Sequence, residues 1–354
     1  MNQETFDLLI GAVYQGHIEI VKELIKSGSN INQAKTDNGA TPLFIASQKG
    51  HIEIVKELIK SGSNINQATT DDGTTSLYIA SQNGYLEIIK ELINSGSNIN
   101  QARTTGATPL YIASQNGHLE IVKELIESGS NINQATTDDG TTPLFVASQN
   151  GYLEIVKELI ESGSNINQAR TDDGTTPLYI ASHNGHLEIV KELIKSGSNI
   201  NQATTGDNIS PLFVASQNGY TEIVKELIKS GSDINQPMIG GTTPVFITAQ
   251  NGHLEIVKEL IKSGSDINQT TIGDDMTPLI IAAHNGHIEI VRELIKAGSN
   301  INQARTDGTT ALYLAVQNGQ SETVKELIKL GANINQRADD STTPLYMSTL
   351  GCYK

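Results

Sequence analysis

The tetrapeptide His-Asn-Gly-His occurs twice in this chain, at residues 183–186 and 284–287. Two histidines three residues apart can reach one metal ion, so each copy is a candidate zinc site. Such a site needs a third ligand and a fixed geometry, whereas the intervening glycine predicts a turn. We therefore predict no metal, and we treat the first histidines, His183 and His284, as candidate contacts for a partner.

Pairs of adjacent aspartates suggest acid–base catalysis or calcium binding as alternatives. The pairs are Asp71-Asp72, Asp138-Asp139, Asp172-Asp173, Asp274-Asp275 and Asp339-Asp340. Each pair lies far from the next along the chain, too far for two pairs to act on one bond. We interpret them as solvated turn residues that could attract a basic partner at low salt.

Composition and motifs exclude several classes of function. The formal charge of −15 and the pI near 4.9 disfavour nucleic acid and anionic membrane surfaces. No GxxxxGK[ST], HExxH or GxSxG motif is present, so we predict neither an enzyme nor a cofactor. The single cysteine, Cys352, allows no disulfide within the chain. The first residues lack a basic leader, and we expect a cytoplasmic monomer without a membrane span.

An internal repeat of 33 or 34 residues dominates the sequence. Each copy opens on a threonine or serine: Thr41, Thr75, Thr108, Thr142, Thr176, Ser210, Thr243, Thr277, Thr310 and Thr343. This residue is a typical helix cap, and a proline usually follows at the first helical position. Gly117 predicts the end of a short, half-buried first helix. The segment HLEIVKELIE then predicts an amphipathic second helix.

A turn with positive φ is predicted two residues before each cap, where most copies carry glycine. Asn208 and Asp275 replace it in two copies, and both residue types tolerate that conformation. Ser341 replaces it in the last copy. We expect that loop to differ.

The run GATPLYIASQNGHLEIVKELIESGSNIN resembles the ankyrin repeat, whose usual text is GxTPLHxAAxxGHxxIVxxLLxxGADxN. The resemblance implies an all-α solenoid of stacked antiparallel helix pairs joined by hairpin-like loops. It also implies recognition of a protein partner through the loop tips and the first helices. The histidine of the family is replaced here, mostly by Phe or Tyr, and we expect aromatic stacking between repeats.

We predict one ankyrin-repeat domain over residues 1–354. It comprises an N-terminal capping repeat at 1–37, nine repeats at 38–339 and an incomplete C-terminal repeat at 340–354. In the capping repeat Asp7 is expected to cap the first helix, with Leu9 and Ala12 in the core.

Departures from the array's own pattern indicate where a partner binds. Most repeats share a Thr-Asp loop and a Gln-Asn pair, which would suit a repetitive ligand or none. Three adjacent loops instead carry the apolar residues Ile209, Met238, Ile239, Ile272 and Met276. We predict a non-enzymatic scaffold that binds a basic or neutral protein there. The alternatives are a targeting or regulatory region of a larger protein continuing past Lys354, and a structural spacer without a specific partner.

Overall fold

The computed structural model describes the backbone of residues 3–351 and the side chains of residues 3–347, so Cys352 lies outside the described residues. The chain divides into two units, Met1–Asp172 and Asp173–Lys354. Between residues 3 and 351 it forms 21 helices and no strand, which confirms the all-α prediction. None of these helices combines the length and apolar character needed to cross a bilayer.

The first unit is a stack of five helix pairs, and the second unit has five pairs and one further first helix. The first unit contains α1 (Gln3–Gln15), α2 (Ile18–Lys26), α3 (Pro42–Lys49), α4 (Ile52–Lys60), α5 (Ser76–Asn83), α6 (Leu86–Asn94), α7 (Pro109–Asn116), α8 (Leu119–Glu127), α9 (Pro143–Asn150) and α10 (Leu153–Glu161). The second unit contains α11 (Pro177–Asn184), α12 (Leu187–Lys195), α13 (Pro211–Gln217), α14 (Thr221–Lys229), α15 (Pro244–Asn251), α16 (Leu254–Lys262), α17 (Pro278–His284), α18 (Ile288–Lys296), α19 (Ala311–Gln317), α20 (Ser321–Lys329) and α21 (Pro344–Gly351).

The first helix of a repeat is capped at both ends as predicted. In α7 the Thr108 side chain accepts a hydrogen bond from the Tyr111 N–H at 3.1 Å, and Gly117 ends the helix with a φ of 81°. Its buried residues are Pro109, Leu110, Ile112, Ala113 and Ser114. The helix is more buried than expected, because it packs against the first helices on both sides and against α8.

The second helix is amphipathic. The residues that α8 buries are Ile121, Val122 and Leu125. Leu119 and Ile126, at the edges of the apolar stripe, are partly covered. On the opposite face Lys123 lies 3.4 Å from Glu120, an exposed pair that contributes little to stability. Burial of the stripe therefore holds this helix in place.

Each loop closes on itself and also bonds to the loop before it. In the first unit the Thr136 N–H donates to the Thr141 carbonyl, and the Thr137 N–H donates to the Thr105 carbonyl, each at 2.9 Å. These bonds align successive loops. We count loop residues from the glutamine that opens each loop, so that Thr137 is the fourth residue of the loop that starts at Gln134.

All three residues that replace glycine before a cap have positive φ: 57° at Asn208, 50° at Asp275 and 65° at Ser341. The expectation that the last loop differs is therefore wrong. The Ser341 N–H donates to the Ala338 carbonyl at 2.9 Å, so the turn forms despite the unfavourable residue. A serine in this region costs about 1 kcal/mol, and the surrounding loop must supply that free energy.

The N-terminal helix begins earlier than predicted. Because α1 starts at Gln3, Asp7 lies inside the helix and does not cap it; instead its Oδ1 accepts a hydrogen bond from Gln3 Nε2 at 2.9 Å. Leu9 and Ala12 are buried, as expected.

Candidate partner-binding surface

The join between the two helices of a repeat is covered by a ring from the next repeat. Gly252 ends α15 with a φ of 82°, and a β-carbon added there would lie 2.8 Å from the ring of His287. His287 Nε2 also donates a hydrogen bond to the Gln250 carbonyl at 3.0 Å. The second histidine of the motif at 284–287 is therefore a framework residue.

The same arrangement recurs in both units, with either histidine or tyrosine as the covering ring. The rings of His51, Tyr85, His118, Tyr152, Tyr220 and His253 cover Gly16, Gly50, Gly84, Gly117, Gly185 and Gly219, respectively. Glycine is required at these positions for two reasons: the backbone has a positive φ, and the ring approaches too closely for a β-carbon.

The first histidines of the two motifs have different surroundings. His183 is exposed, and its ring stacks on Tyr179 with the centroids 6.3 Å apart. His284 is half-buried, and its Nδ1 accepts a hydrogen bond from Asn318 Nδ2 at 3.1 Å. No group of three or more His, Cys, Asp or Glu side chains in the described part of the chain is placed to hold a metal ion.

The regularly spaced asparagines hold neighbouring repeats together. Asn116 Nδ2 donates to the Gln82 carbonyl at 2.8 Å, and Asn251 Nδ2 donates to the Gln217 carbonyl at 2.9 Å. Equivalent bonds are made by Asn83, Asn150, Asn218 and Asn285. Because one amide N–H of each side chain is used in this way, the regular spacing of these residues is explained by the fold.

Two isoleucines occupy the same position of consecutive loops in the second unit, and both are exposed. Ile239 is 65% exposed and Ile272 is 79% exposed. Their backbone N–H groups donate to the preceding loops, to the carbonyls of Asp207 at 2.9 Å and Gly240 at 2.8 Å. In the first unit the same loop position holds Thr70, Thr104, Thr137 and Thr171. We call Ile239 and Ile272 the isoleucine patch.

The other three apolar residues of these loops lie at the base of the turns and are half-buried. Ile209 and Met276 close their loops by accepting hydrogen bonds at their carbonyls, at 3.1 and 3.0 Å. Met238 closes its loop by donating from its backbone N–H to the Thr242 carbonyl at 2.9 Å. Of the five apolar residues predicted for a partner site, two are therefore exposed and three are half-buried at positions that close their own loops.

A family model described as "Ankyrin repeats (3 copies)" matches residues 9–103, 95–170, 165–238 and 245–338. The chain belongs to the ankyrin repeat family. Ankyrin repeats are generally modules for protein–protein interaction, and the family is typically non-enzymatic. No curated protein sequence matches the chain.

Two of the residues that replace the ankyrin histidine after TPL, Tyr78 and Phe145, have an arginine over their rings. Arg103 lies 5.2 Å from the ring centroid of Tyr78, and Arg170 lies 5.7 Å from that of Phe145. Each arginine belongs to the loop of the following repeat. The contact shown between repeats at these two positions is therefore cation–π rather than the aromatic stacking that we expected.

The second aspartate of a pair has a structural role in this ankyrin array. Asp72 Oδ1 accepts hydrogen bonds from Thr69 Oγ1 at 2.8 Å and from the Thr74 N–H at 3.0 Å, and its other oxygen pairs with Arg103. Burial raises the pKa of Asp72, but hydrogen bonds from both threonines and from Arg103 outweigh it and lower the pKa to about 2.

The interpretation of the aspartates as solvated turn residues is correct for Asp71, which is exposed, and incomplete for half-buried Asp72. The threonines three residues before and two residues after Asp72 were the signal in the sequence for this hydrogen-bond network.

Proposed function

We propose that this ankyrin array is a non-enzymatic scaffold whose isoleucine patch forms the centre of contact with a protein partner. The observation that supports this is the exposure of Ile239 and Ile272 at aligned positions of adjacent loops. Burying each side chain against a partner would contribute about 1.5–3 kcal/mol. Within their own repeats both remain largely in water.

The residues around the patch suit a contact that adapts to the partner. Met238 and Met276 are half-buried beneath the tips, and methionine side chains adjust to irregular surfaces at little cost. Ile209 extends the same loop series. His183 and His284, at the ends of α11 and α17, are proposed as additional contacts on the first-helix side.

The charge of the chain favours a basic or neutral partner. With a formal charge of −15, the protein attracts cationic surfaces and repels anionic ones over distances of about 10 Å at moderate salt. We propose that the array acts as a monomer in this interaction.

The test compares the wild-type chain with the double variant Ile239→Thr, Ile272→Thr, which restores the residue that loops of the first unit carry. Leu8→Thr is the matched control, because Leu8 is 64% exposed in α1. Each protein is immobilised and exposed to an extract of the source cells, and captured proteins are identified by mass spectrometry. We expect a partner that wild type and Leu8→Thr retain and the double variant loses.

A partner retained equally by all three proteins would show that the isoleucine patch is not the contact. Failure of the wild type to capture any protein beyond background would instead favour the spacer alternative.

A further inference from the structure

The third residue of each first helix is usually aromatic, and two of these rings are closed over by arginine. Tyr78 in α5 is 2% exposed and Phe145 in α9 is 3% exposed. The guanidinium groups of Arg103 and Arg170, from the following loops, lie over them at 5.2 and 5.7 Å. An aromatic face in this array therefore accepts a planar cation.

Carboxylates complete both contacts. Arg103 pairs with Asp72, and Arg170 lies 3.1 Å from Asp139 and 2.6 Å from Asp172. Asp172 comes two residues after its arginine, and the same spacing pairs Arg305 with Asp307 at 3.0 Å and Lys35 with Asp37 at 3.1 Å. The array thus contains its own template for binding a guanidinium, made of a ring and a nearby aspartate.

At Tyr111 the ring and the aspartate are present, but a threonine stands in place of the arginine. The loop that follows Tyr111 reads QATTDDG at 134–140, and the next one reads QARTDDG at 168–174. The two differ only in having Thr136 where the other has Arg170. Thr136 Oγ1 donates to Asp139 at 2.6 Å, so this side chain points to its own loop.

A pocket of about 340 Å³ opens beside this ring. Its lining includes Tyr78, Arg103, Tyr111, Asp138 and Asp139. Tyr111 is half-buried, unlike the covered Tyr78. Asp138, two residues after Thr136, is exposed, and the hydrogen bond shown for its side chain comes from Thr137 Oγ1 at 3.4 Å.

Three charged groups line the pocket, and two of them are paired with residues outside it: Arg103 with Asp72, and Asp139 with Arg170. Asp138 is therefore the carboxylate of the lining that an additional cation would meet. Burial, together with the smaller effects of Asp139 and Tyr78, raises the pKa of Tyr111 to about 12, although the positive charge of Arg170 acts in the opposite direction. The phenol therefore stays neutral at physiological pH, and the half-buried ring can accept a cation on its face.

We propose that the pocket beside Tyr111 binds an arginine side chain of a partner protein, with the guanidinium over the ring and paired with Asp138. The site lies in the first unit, and its chemistry is independent of the isoleucine patch in the second. Its failure would leave the proposed function standing.

The test is a titration of the full chain, labelled with ¹³C in its tyrosines, with N-acetyl-arginine methylamide followed by NMR. The Tyr111 signals are assigned with Tyr111→Phe. We expect a saturable shift of these signals with weak, millimolar affinity. N-acetyl-citrulline methylamide, which has the same shape without the charge, should give no saturable shift.

Thr136→Arg provides the decisive variant, because it converts the loop into the sequence already present at 168–174 and fills the pocket from within. We expect its affinity for the arginine probe to fall at least about tenfold, and Asp138→Asn to weaken binding in the same direction. Thr271→Arg is the matched control, since Thr271 Oγ1 makes the same loop bond, to Asp274 at 2.5 Å, and lies in the other unit.

The proposal is overturned if the Tyr111 signals do not respond, if citrulline binds equally well, or if folded Thr136→Arg binds the probe as tightly as wild type. Circular dichroism melting curves establish that each variant is folded.

Discussion

The loops of the first unit and the loops around residues 202–276 of the second share one backbone plan but differ in what they present to solvent. In the first unit the fourth loop residue is threonine at Thr70, Thr104, Thr137 and Thr171. In two loops of the second unit the same position is occupied by Ile239 and Ile272, which are among the most exposed apolar side chains described. At this loop position the backbone N–H makes the same bond to the preceding loop in both units, whereas the side chain changes from threonine to exposed isoleucine. The comparison separates what the backbone of these loops does for the fold from what their side chains present to solvent.

The largest effect on stability is expected from Gly117→Ala, at a repeated position. Its φ of 81° disfavours any side chain, and the new β-carbon would lie 2.8 Å from the Tyr152 ring. We expect a loss of about 2–4 kcal/mol of unfolding free energy, measured by urea denaturation. Gly129→Ala is the control, because Gly129 has a φ of 95° with nothing within 4 Å of the added carbon.

Gly129→Ala should lose only about 1 kcal/mol, the cost of the backbone conformation. Equal losses for the two variants would show that the ring of the next repeat does not constrain the glycine.

A smaller, pH-dependent effect is expected from Asp72→Asn. The pKa of Asp72 is lowered to about 2 in the folded protein, whereas it is close to 4 in the unfolded chain. The carboxylate therefore stabilises the fold fully at pH values above about 4. That contribution is lost as the pH falls from about 4 towards 2. At pH 7 we expect the variant to be about 1–2 kcal/mol less stable, after allowance for solvent screening.

The stability difference between wild type and Asp72→Asn should shrink steadily below pH 4 in urea melts. Asp71→Asn, at the exposed neighbour, should change stability by less than about 0.5 kcal/mol. A difference for Asp72→Asn that is constant down to pH 2 would contradict the assigned pKa.

One repeated position is expected to gain stability when changed. Ser130 Oγ is buried without a hydrogen-bond partner, and the same is true of Ser97 and Ser164. Alanine already occupies this position at Ala332. We expect Ser130→Ala to raise the unfolding free energy by about 0.5–1 kcal/mol, because an unsatisfied hydroxyl is removed from the interior.

Ser114→Ala is the opposite case, because Ser114 Oγ donates to the Leu110 carbonyl at 2.8 Å. It should leave stability unchanged or lower it. If thermal melting shows that both changes stabilise equally, the hydrogen bond of Ser114 contributes nothing.

The smallest effect on stability is expected at the isoleucine patch. Ile239→Thr with Ile272→Thr should change the unfolding free energy by less than about 0.5 kcal/mol, since both side chains are mostly in water. Ile256→Thr, at a residue of α16 that is 0% exposed, should cost more than about 1 kcal/mol. A large loss for the patch variant, seen by the same urea melts, would show that these residues belong to the fold.

The sequence predicted the elements because their signals are local. Thr108, Pro109 and Gly117 mark the ends of α7 through backbone chemistry within a few residues. Ser341 misled the prediction because hydrogen bonds within its loop outweigh its intrinsic preference. The Arg103 contact with Tyr78 and the pocket at Tyr111 were missed. Both join residues about one repeat apart, and the direction of a loop side chain cannot be read from the residues next to it in sequence. The exposure of Ile272 could be anticipated, because a hydrophobic residue replaced threonine at a loop tip.

The rings over the glycines have a consequence for how this gene can change. His118 covers Gly84 and Tyr152 covers Gly117, so either ring fits the same glycine join. Deleting or inserting one whole repeat inside a unit would bring together two surfaces that already match. Unequal recombination between such similar coding segments can therefore alter the number of repeats without creating a mismatched junction. Repeat number is then a property that selection can adjust in single steps.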